Sequence, residues 1–194
     1  MKKKKKKKQK IKPETKMDII ETRVRRCVAM IIDWYITHMI VVIPITFYLR
    51  DGDYLKPYMF DLSHYSFSIG LFLGLFGIFV GVFYYIVIPT YLWKGQTIGK
   101  KICKVKVVTE EREDINLACM LKRELIGATL LEGGIVVTSS YIRKLIEFFG
   151  FMQVAQILQY IAYGLTLISI IYAYFNKKSQ SFHDKIAKTI VIKN

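Results

Sequence analysis

Four apolar stretches of membrane-spanning length run through the chain, and each is bordered by polar or basic residues. They cover about residues 27–49, 66–93, 120–142 and 155–175. An α-helix needs about 20 mostly apolar residues to cross the hydrocarbon core of a bilayer, and each stretch reaches that length. The pattern therefore predicts an all-α integral membrane protein with four transmembrane helices. A three-helix alternative stays open, in which the third stretch lies at the membrane interface.

Basic residues outside these stretches indicate which side of the membrane each segment faces. Residues 1–17 are rich in lysine, which predicts a disordered polylysine tail ahead of a membrane domain over residues 18–194. Lysine and arginine also concentrate in residues 94–118 and after the fourth stretch, whereas residues 50–65 contain few. By the positive-inside rule, the N- and C-termini and the middle loop are cytoplasmic.

The middle loop also carries a pattern with a period of two. Val105 and Val107 alternate with lysines, and Ile115 and Leu117 follow an acidic turn. Such alternation is typical of half-buried strands, so the sequence predicts a small cytoplasmic β-hairpin in this loop. Residues 189–192 are strand-like as well, and their pairing with the hairpin is a further prediction.

Composition supports a membrane protein over a soluble one. The chain has 194 residues, is 53% hydrophobic and carries a formal net charge of +15, with a mean hydropathy of +0.28. The basic residues flank the apolar stretches instead of lining one folded face. The expected partners are therefore the lipid bilayer and anionic lipid headgroups, and no nucleic acid. We expect a multi-pass protein of the cell membrane.

Charged residues inside the apolar stretches are the candidates for function. Asp33 lies seven residues after Arg26, and helical geometry puts both on one face, ~10 Å apart along the axis. A carboxylate at membrane depth is costly without a partner or water. Two interpretations stay open. Asp33 pairs with Arg26 or Arg123 and fixes helix register, or it binds and releases a proton or cation in a water-filled cleft. Glu132, deep in the third stretch, is another candidate.

Four glycines mark one face of the second apolar stretch, at intervals of four, three and four residues: Gly70, Gly74, Gly77 and Gly81. In lipid, small residues at this spacing let another helix approach closely, so the pattern predicts a helix-packing face. A partner helix bound there would make the protein a non-catalytic membrane scaffold or accessory subunit, which is the alternative to a transport function.

The sequence contains no pattern typical of an enzyme, a metal site or a cofactor site. Cys27, Cys103 and Cys119 are odd in number and lack the CxxC spacing of zinc sites, and the histidines are scattered. Residues 95–101 have three residues between their glycines, where a phosphate-binding loop has four. We expect a protein without catalytic residues, metal or cofactor.

Several short motifs occur in a defined order along the chain. Arg26 and Asp33 lie in the first predicted helix, and the glycine- and lysine-containing segment 95–101 follows the second. Arg123 lies near the start of the third, and the segment 179–189 closes the chain with Ser-Gln-Ser-Phe-His-Asp-Lys-Ile-Ala-Lys-Thr. Each motif alone is weak, but their order and their places relative to the apolar stretches are specific.

With these motifs, about residues 20–194 resemble the RDD family of small multispanning membrane proteins. That family is named for an arginine and two aspartates, which the match places at Arg26, Asp33 and Asp184. Some members look like cation/proton antiporters, so the resemblance implies cation- or proton-coupled transport through an intramembrane Asp/Arg network. Four helices are few for a carrier, so a homo-oligomer or a partner membrane protein is expected.

The last candidate, Asp184, has a local role as well. Ser181 and Asp184 have the spacing of a capping box, so we expect Asp184 to cap a short C-terminal helix near the cytoplasmic boundary, within reach of Arg25 or Arg26. The predicted network, with an ion-binding or a structural role, comprises Arg26, Asp33, Arg123, Glu132 and Asp184.

Overall fold

The computed structural model describes residues 16–49 and 61–194; the polylysine tail and most of the loop predicted to lie outside the membrane fall beyond these ranges. The fold is mostly helical, with a two-stranded antiparallel sheet. The elements in chain order are α1 (Lys16–Leu49), a 3₁₀ turn (Leu62–His64), α2 (Phe67–Val82) with a π-helical continuation (Phe83–Leu92), α3 (Ile98–Ile102), β1 (Val105–Thr109), α4 (Leu117–Leu121) with a π-helical continuation (Lys122–Glu132), α5 (Val137–Phe148), α6 (Met152–Phe175), α7 (Phe182–Ala187) and β2 (Thr189–Lys193).

Three helical segments of the described chain are long and apolar enough to cross a membrane: Met17–Phe47, Phe67–Leu92 and Met152–Phe175. A fourth candidate consists of two helices, Leu117–Glu132 and Val137–Phe148, which meet at an angle of 51°. The third predicted span, residues 120–142, therefore corresponds to a bent pair of helices instead of one straight helix. Three to four membrane-spanning helices follow from these lengths and compositions.

The bend results from Gly133, which has a left-handed backbone conformation with φ +61° and ends the π-helical continuation of α4. A helix break leaves backbone N–H and C=O groups that need hydrogen-bond partners. Thr166 of α6 supplies them: its hydroxyl donates to the Glu132 carbonyl at 2.9 Å and accepts from the Gly134 N–H at 3.0 Å. Hydrogen bonds to Thr166 of α6 therefore satisfy the backbone groups at the break between the two helices.

The glycine face of α2 packs against α5 of the same chain. A Cβ added at Gly70 would lie 2.7 Å from the Phe148 ring, and one at Gly77 would lie within 2.6 Å of the Tyr141 ring. No side chain fits at such distances, so the glycines allow α5 to lie directly on α2. The contacts run antiparallel along the two helices: Gly70 with Phe148, Gly74 with Leu145, Gly77 with Tyr141 and Gly81 with Thr138. This face is therefore occupied within the chain.

The sheet joins the middle loop to the C-terminal segment. Val105 lies opposite Lys193, and Thr109 lies opposite Thr189. The predicted pairing of the C-terminal segment with this loop is confirmed, whereas the predicted return strand at residues 115–117 is wrong. Asn116 instead caps α4, because its side chain accepts a hydrogen bond from the Cys119 N–H at 2.8 Å.

We expect Gly77→Leu to destabilise the fold by about 1–3 kcal/mol or more, because the new side chain overlaps the Tyr141 ring and separates α2 from α5. Equilibrium unfolding in detergent micelles measures the change. Gly164→Leu on α6 is the matched control, since a Cβ at Gly164 meets nothing within 4 Å. Equal stability of the two variants would contradict the packing described for α2 and α5.

Candidate functional site

Asp33 of α1 is a buried carboxylate, 2% exposed, with donors from two other parts of the chain. The Tyr84 hydroxyl donates to Oδ1 and the Thr97 hydroxyl donates to Oδ2, each at 2.5 Å. The Gly99 N–H donates to Oδ1 at 2.7 Å. Both carboxylate oxygens are therefore satisfied, as a buried charge requires. These residues, Asp33, Tyr84, Thr97 and Gly99, form the Asp33 cluster.

The close approach of α3 to α1 brings two of these donors to Asp33. Thr97 caps α3, since its hydroxyl accepts from the Lys100 N–H at 3.4 Å. A Cβ at Gly99 would lie 2.8 Å from Asp33 Oδ1 and closer still to the Ala29 carbonyl oxygen. Only glycine fits this contact, so Gly99 lets the first turn of α3 present its N–H to the carboxylate.

The cation paired with Asp33 in the described chain is Lys100, whose Nζ lies 3.9 Å from Oδ2. Burial lowers the pKa of Lys100, and the charge of Asp33 opposes this shift. The predicted pairing of Asp33 with Arg26 or Arg123 is wrong. Both arginines contact Asp184 instead, because α3 occupies the space beside Asp33.

Asp184, in the first turn of α7, is fully buried between two arginines. Arg26 of α1 forms an ion pair with Oδ2, and Arg123 donates to Oδ1 from Nε at 3.2 Å and from Nη2 at 3.0 Å. The Ser181 N–H and hydroxyl donate to Oδ2 at 3.1 and 2.8 Å, which completes the capping box. Asp184 therefore caps α7 and links it to α1 and to the π-helical continuation of α4.

Glu132 pairs with the same short helix. Its Oε2 lies 2.8 Å from His183 Nδ1, and its Oε1 accepts from the His183 N–H at 2.9 Å and from the Ser169 hydroxyl at 2.7 Å. Gly127 leaves room for the histidine, since a Cβ there would lie 2.5 Å from His183 Cβ. Two consecutive residues of α7, His183 and Asp184, thus meet Glu132 and the two arginines.

The two ring nitrogens of His183 have different neighbours. Nδ1 faces the Glu132 carboxylate, which only accepts, so Nδ1 carries the proton. Nε2 lies 3.0 Å from Arg123 Nη2 and 3.2 Å from Arg26 Nη2, which only donate, so Nε2 offers its lone pair. Nε2 also lies 3.0 Å from the Ser181 hydroxyl and 3.6 Å from Asp184 Oδ1.

A cleft of about 460 Å³, bounded by α1 and α6, reaches both groups of residues. Its lining includes Asp33, Lys100, Arg26, Arg123, Glu124, Glu132 and His183. At one end, Arg23 lies over the Tyr174 ring at 5.3 Å and donates to the Asn176 carbonyl at 3.0 Å. The cleft thus combines apolar helix walls with a charged floor.

A second cavity, of about 370 Å³, lies beyond the helix break and is lined by residues of α1, α5 and α6, including Arg143. Arg143 Nη1 donates to the Gly133 carbonyl at 2.8 Å, and Gly133 itself bounds the cleft. The hydrogen bond between Arg143 and Gly133 therefore lies between the cleft and the second cavity.

Four of the five predicted network residues meet around α7: Arg26, Arg123, Glu132 and Asp184. Asp33 is bonded separately, although it lines the same cleft. The four glycines of α2 lie outside the cleft. Sequence reasoning missed Tyr84, Thr97, Lys100, His183 and Arg143. A signal existed for Thr97, because a threonine before a short helical segment is a typical N-cap; none existed for Tyr84, which is one of many aromatic residues.

The model of the RDD family matches residues 21–188, most of the chain and all five predicted network residues. No curated protein and no solved structure matches the chain.

We expect Asp33→Asn to destabilise the protein by about 1–3 kcal/mol, because an amide nitrogen would face groups that already donate hydrogen bonds. Chemical unfolding in micelles measures this change. Asp114→Asn is the control, since its contact with Lys106 is exposed. A cost no larger than that of the control would mean that the Asp33 cluster contributes nothing to stability.

We also expect stability to fall in acid through Asp184. Burial alone would raise the pKa of this carboxyl, but the Arg26 and Arg123 guanidiniums hold its pKa well below the usual range. The group therefore stabilises the fold fully above the unfolded pKa of about 3.9, and this contribution is lost as pH falls through the folded value.

Unfolding measured from pH 7 to pH 2 tests this expectation. Asp184→Asn should be less stable than wild type at pH 7, and its stability should change less between pH 4 and pH 2. The same acid dependence in both proteins would contradict the assignment.

Proposed function

This chain belongs to the RDD family, and we propose that it is an ion- or proton-coupled carrier of the cell membrane whose coupling site is the charged floor of the cleft. The observation that carries the proposal is the arrangement of two cavities on either side of a broken helix. A carrier needs a site that opens alternately to the two sides of the membrane, and broken helices are typical of such sites.

The thin barrier between the cavities supports alternating access. The Gly133 carbonyl and Arg143 Nη1 lie 2.8 Å apart, and each residue bounds a different cavity. A change in the 51° angle between the helices on either side of Gly133 would break this contact and join the spaces. The bonds of Thr166 to the broken ends define the closed arrangement.

The His183–Glu132 pair is the proposed proton-binding group. Two guanidiniums and three carboxylates, those of Glu124, Glu132 and Asp184, lie around α7, so one negative charge is left while His183 is neutral. A proton on Nε2 balances this charge, but it would lie between the Arg26 and Arg123 guanidiniums and 3.6 Å from Asp184 Oδ1, the carboxylate that both arginines bind. Proton binding thereby favours a different position of α7 relative to α1 and α4, which is the change that coupling requires.

Asp33 has a different role in this proposal. Its carboxylate accepts three hydrogen bonds and pairs with Lys100, so a cation would have to displace bonded groups. We infer that Asp33 holds α3 against α1 and α2, which fixes one wall of the cleft while α7 moves.

The topology that we propose has four crossings and cytoplasmic termini. Lys193 of β2 donates to Asp18 at the start of α1, and β2 pairs with β1, so the start of α1, the middle loop and the C-terminal segment lie at one end of the molecule. The bent helix pair then leads from this end to the start of α6. The basic residues at this end favour the cytoplasm and anionic headgroups.

A scaffold function through the glycine face of α2 has less support, because α5 covers this face. The exposed apolar residues of α6 suit lipid or a second copy of the chain equally well. No enzymatic function is proposed.

Reconstituted liposomes test the carrier proposal. Internal pH is followed under Na⁺, K⁺ and proton gradients. We expect His183→Gln and Glu132→Gln to lower flux at least about tenfold, the effect of ~1.4 kcal/mol on a barrier. Asp33→Asn is expected to lower flux less for each properly folded molecule.

Glu111→Gln, an exposed position in the loop after β1, is the control and should retain full flux. Absence of flux from folded wild type under all gradients would remove the carrier proposal. Full flux in both cleft variants would leave transport standing but would move the coupling site elsewhere.

A further inference from the structure

Arg143 of α5 is a buried cation that has no carboxylate partner among the described residues. It is 8% exposed. Its Nη1 donates to the Gly133 carbonyl at 2.8 Å and to the Ser139 hydroxyl at 2.6 Å, and its Nη2 lies 3.4 Å from the Ser140 hydroxyl. All three acceptors are neutral, so the positive charge itself is uncompensated.

One edge of the Arg143 guanidinium, formed by Nε and Nη2, is little used. Nη1 binds the Gly133 carbonyl at the helix break, whereas in residues 16–49 and 61–194 Nε has no acceptor and Nη2 has only the Ser140 hydroxyl at 3.4 Å. Two parallel N–H groups on this edge match the two oxygens of a carboxylate. Arg143 lines the 370 Å³ cavity, which gives a ligand room to reach it.

Arg26 and Arg123, which line the cleft, differ from Arg143 because each has a carboxylate partner. Arg26 and Arg123 share the Asp184 carboxylate, and Arg123 also contacts Glu124. Arg143 has only the negative end of the preceding helix, a partial charge of about one half. A buried guanidinium in an apolar protein is costly without a full counter-charge, so the structure provides a place for an anion.

The remaining cavity lining is consistent with a small organic anion. Tyr141 lines the cavity, and its buried hydroxyl has no hydrogen-bond partner in the described chain. Phe148 and Tyr163 add aromatic surface. The other charges lining the cavity are Lys144, which has a partner, and the exposed acids Asp61 and Glu147.

We propose that this cavity binds a small organic carboxylate, whose two oxygens accept hydrogen bonds from Nε and Nη2 of Arg143 while its apolar part lies against the aromatic side chains. The volume of about 370 Å³ is within the range of small-molecule pockets. The site goes beyond the proposed carrier function, since ligand binding there needs no gradient and no movement of α7.

Benzoate is the probe, because it joins one carboxylate to one aromatic ring. Purified full-length protein in lipid nanodiscs is titrated with benzoate, and binding is followed by saturation-transfer-difference NMR. We expect saturable binding in wild type. Arg143→Lys keeps the charge but loses the planar guanidinium, so it should bind benzoate at least tenfold more weakly. Chloride should compete with benzoate at least tenfold more weakly than acetate does. Gln156→Trp, at an exposed position that lines the cavity, should also abolish binding by filling it.

Arg23→Gln is the matched control, because Arg23 lines the cleft and not this cavity, and it should bind benzoate as wild type does. The proposal is overturned if wild type binds no benzoate, if Gln156→Trp binds it fully, or if folded Arg143→Lys binds it as tightly as wild type. Equal competition by chloride and acetate would overturn the carboxylate assignment. The titration uses no ion gradient. Absence of benzoate binding therefore does not bear on the carrier proposal, and absence of flux does not bear on benzoate binding.

Discussion

The sharing of one buried carboxylate by two guanidiniums is the interaction on which the rest of the structure depends. Asp184 receives Arg26 from the first helix and Arg123 from the third apolar stretch. Removing one partner of a buried ion pair typically costs about 3–5 kcal/mol. A six-residue helix such as α7 has little stability of its own, so these contacts determine its position. Strand β2 follows directly and reaches β1 from there.

The buried polar groups of this molecule differ in how completely they are hydrogen-bonded. Asp33 and Asp184 have every oxygen bonded, and each joins three segments of the chain. The ring of His183 differs, because its Nε2 lies beside the Arg26 and Arg123 guanidiniums as well as beside Asp184 Oδ1. Arg143 differs again, since part of its hydrogen-bonding edge is unused. Complete and incomplete hydrogen bonding therefore belong to different side chains.

The sequence predicted much of the architecture because apolar length, charge bias and glycine spacing act locally. The helices of α1, α2 and α6 followed from such patterns, and so did the capping box at Ser181. The partners of Asp33 did not, because helical spacing describes one helix and says nothing of Gly99, which brings α3 against it. The broken third stretch was missed for a similar reason. Gly133-Gly134 resembles any pair of small residues in a membrane helix until Thr166 of another helix is seen to bind the exposed ends.

The order of α7 in the chain has a consequence for biogenesis. Arg26 and Arg123 are synthesised well before the ribosome reaches Asp184. The carboxylate that both guanidiniums share can therefore reach them only late in synthesis, when α7 packs against α1 and the π-helical continuation of α4.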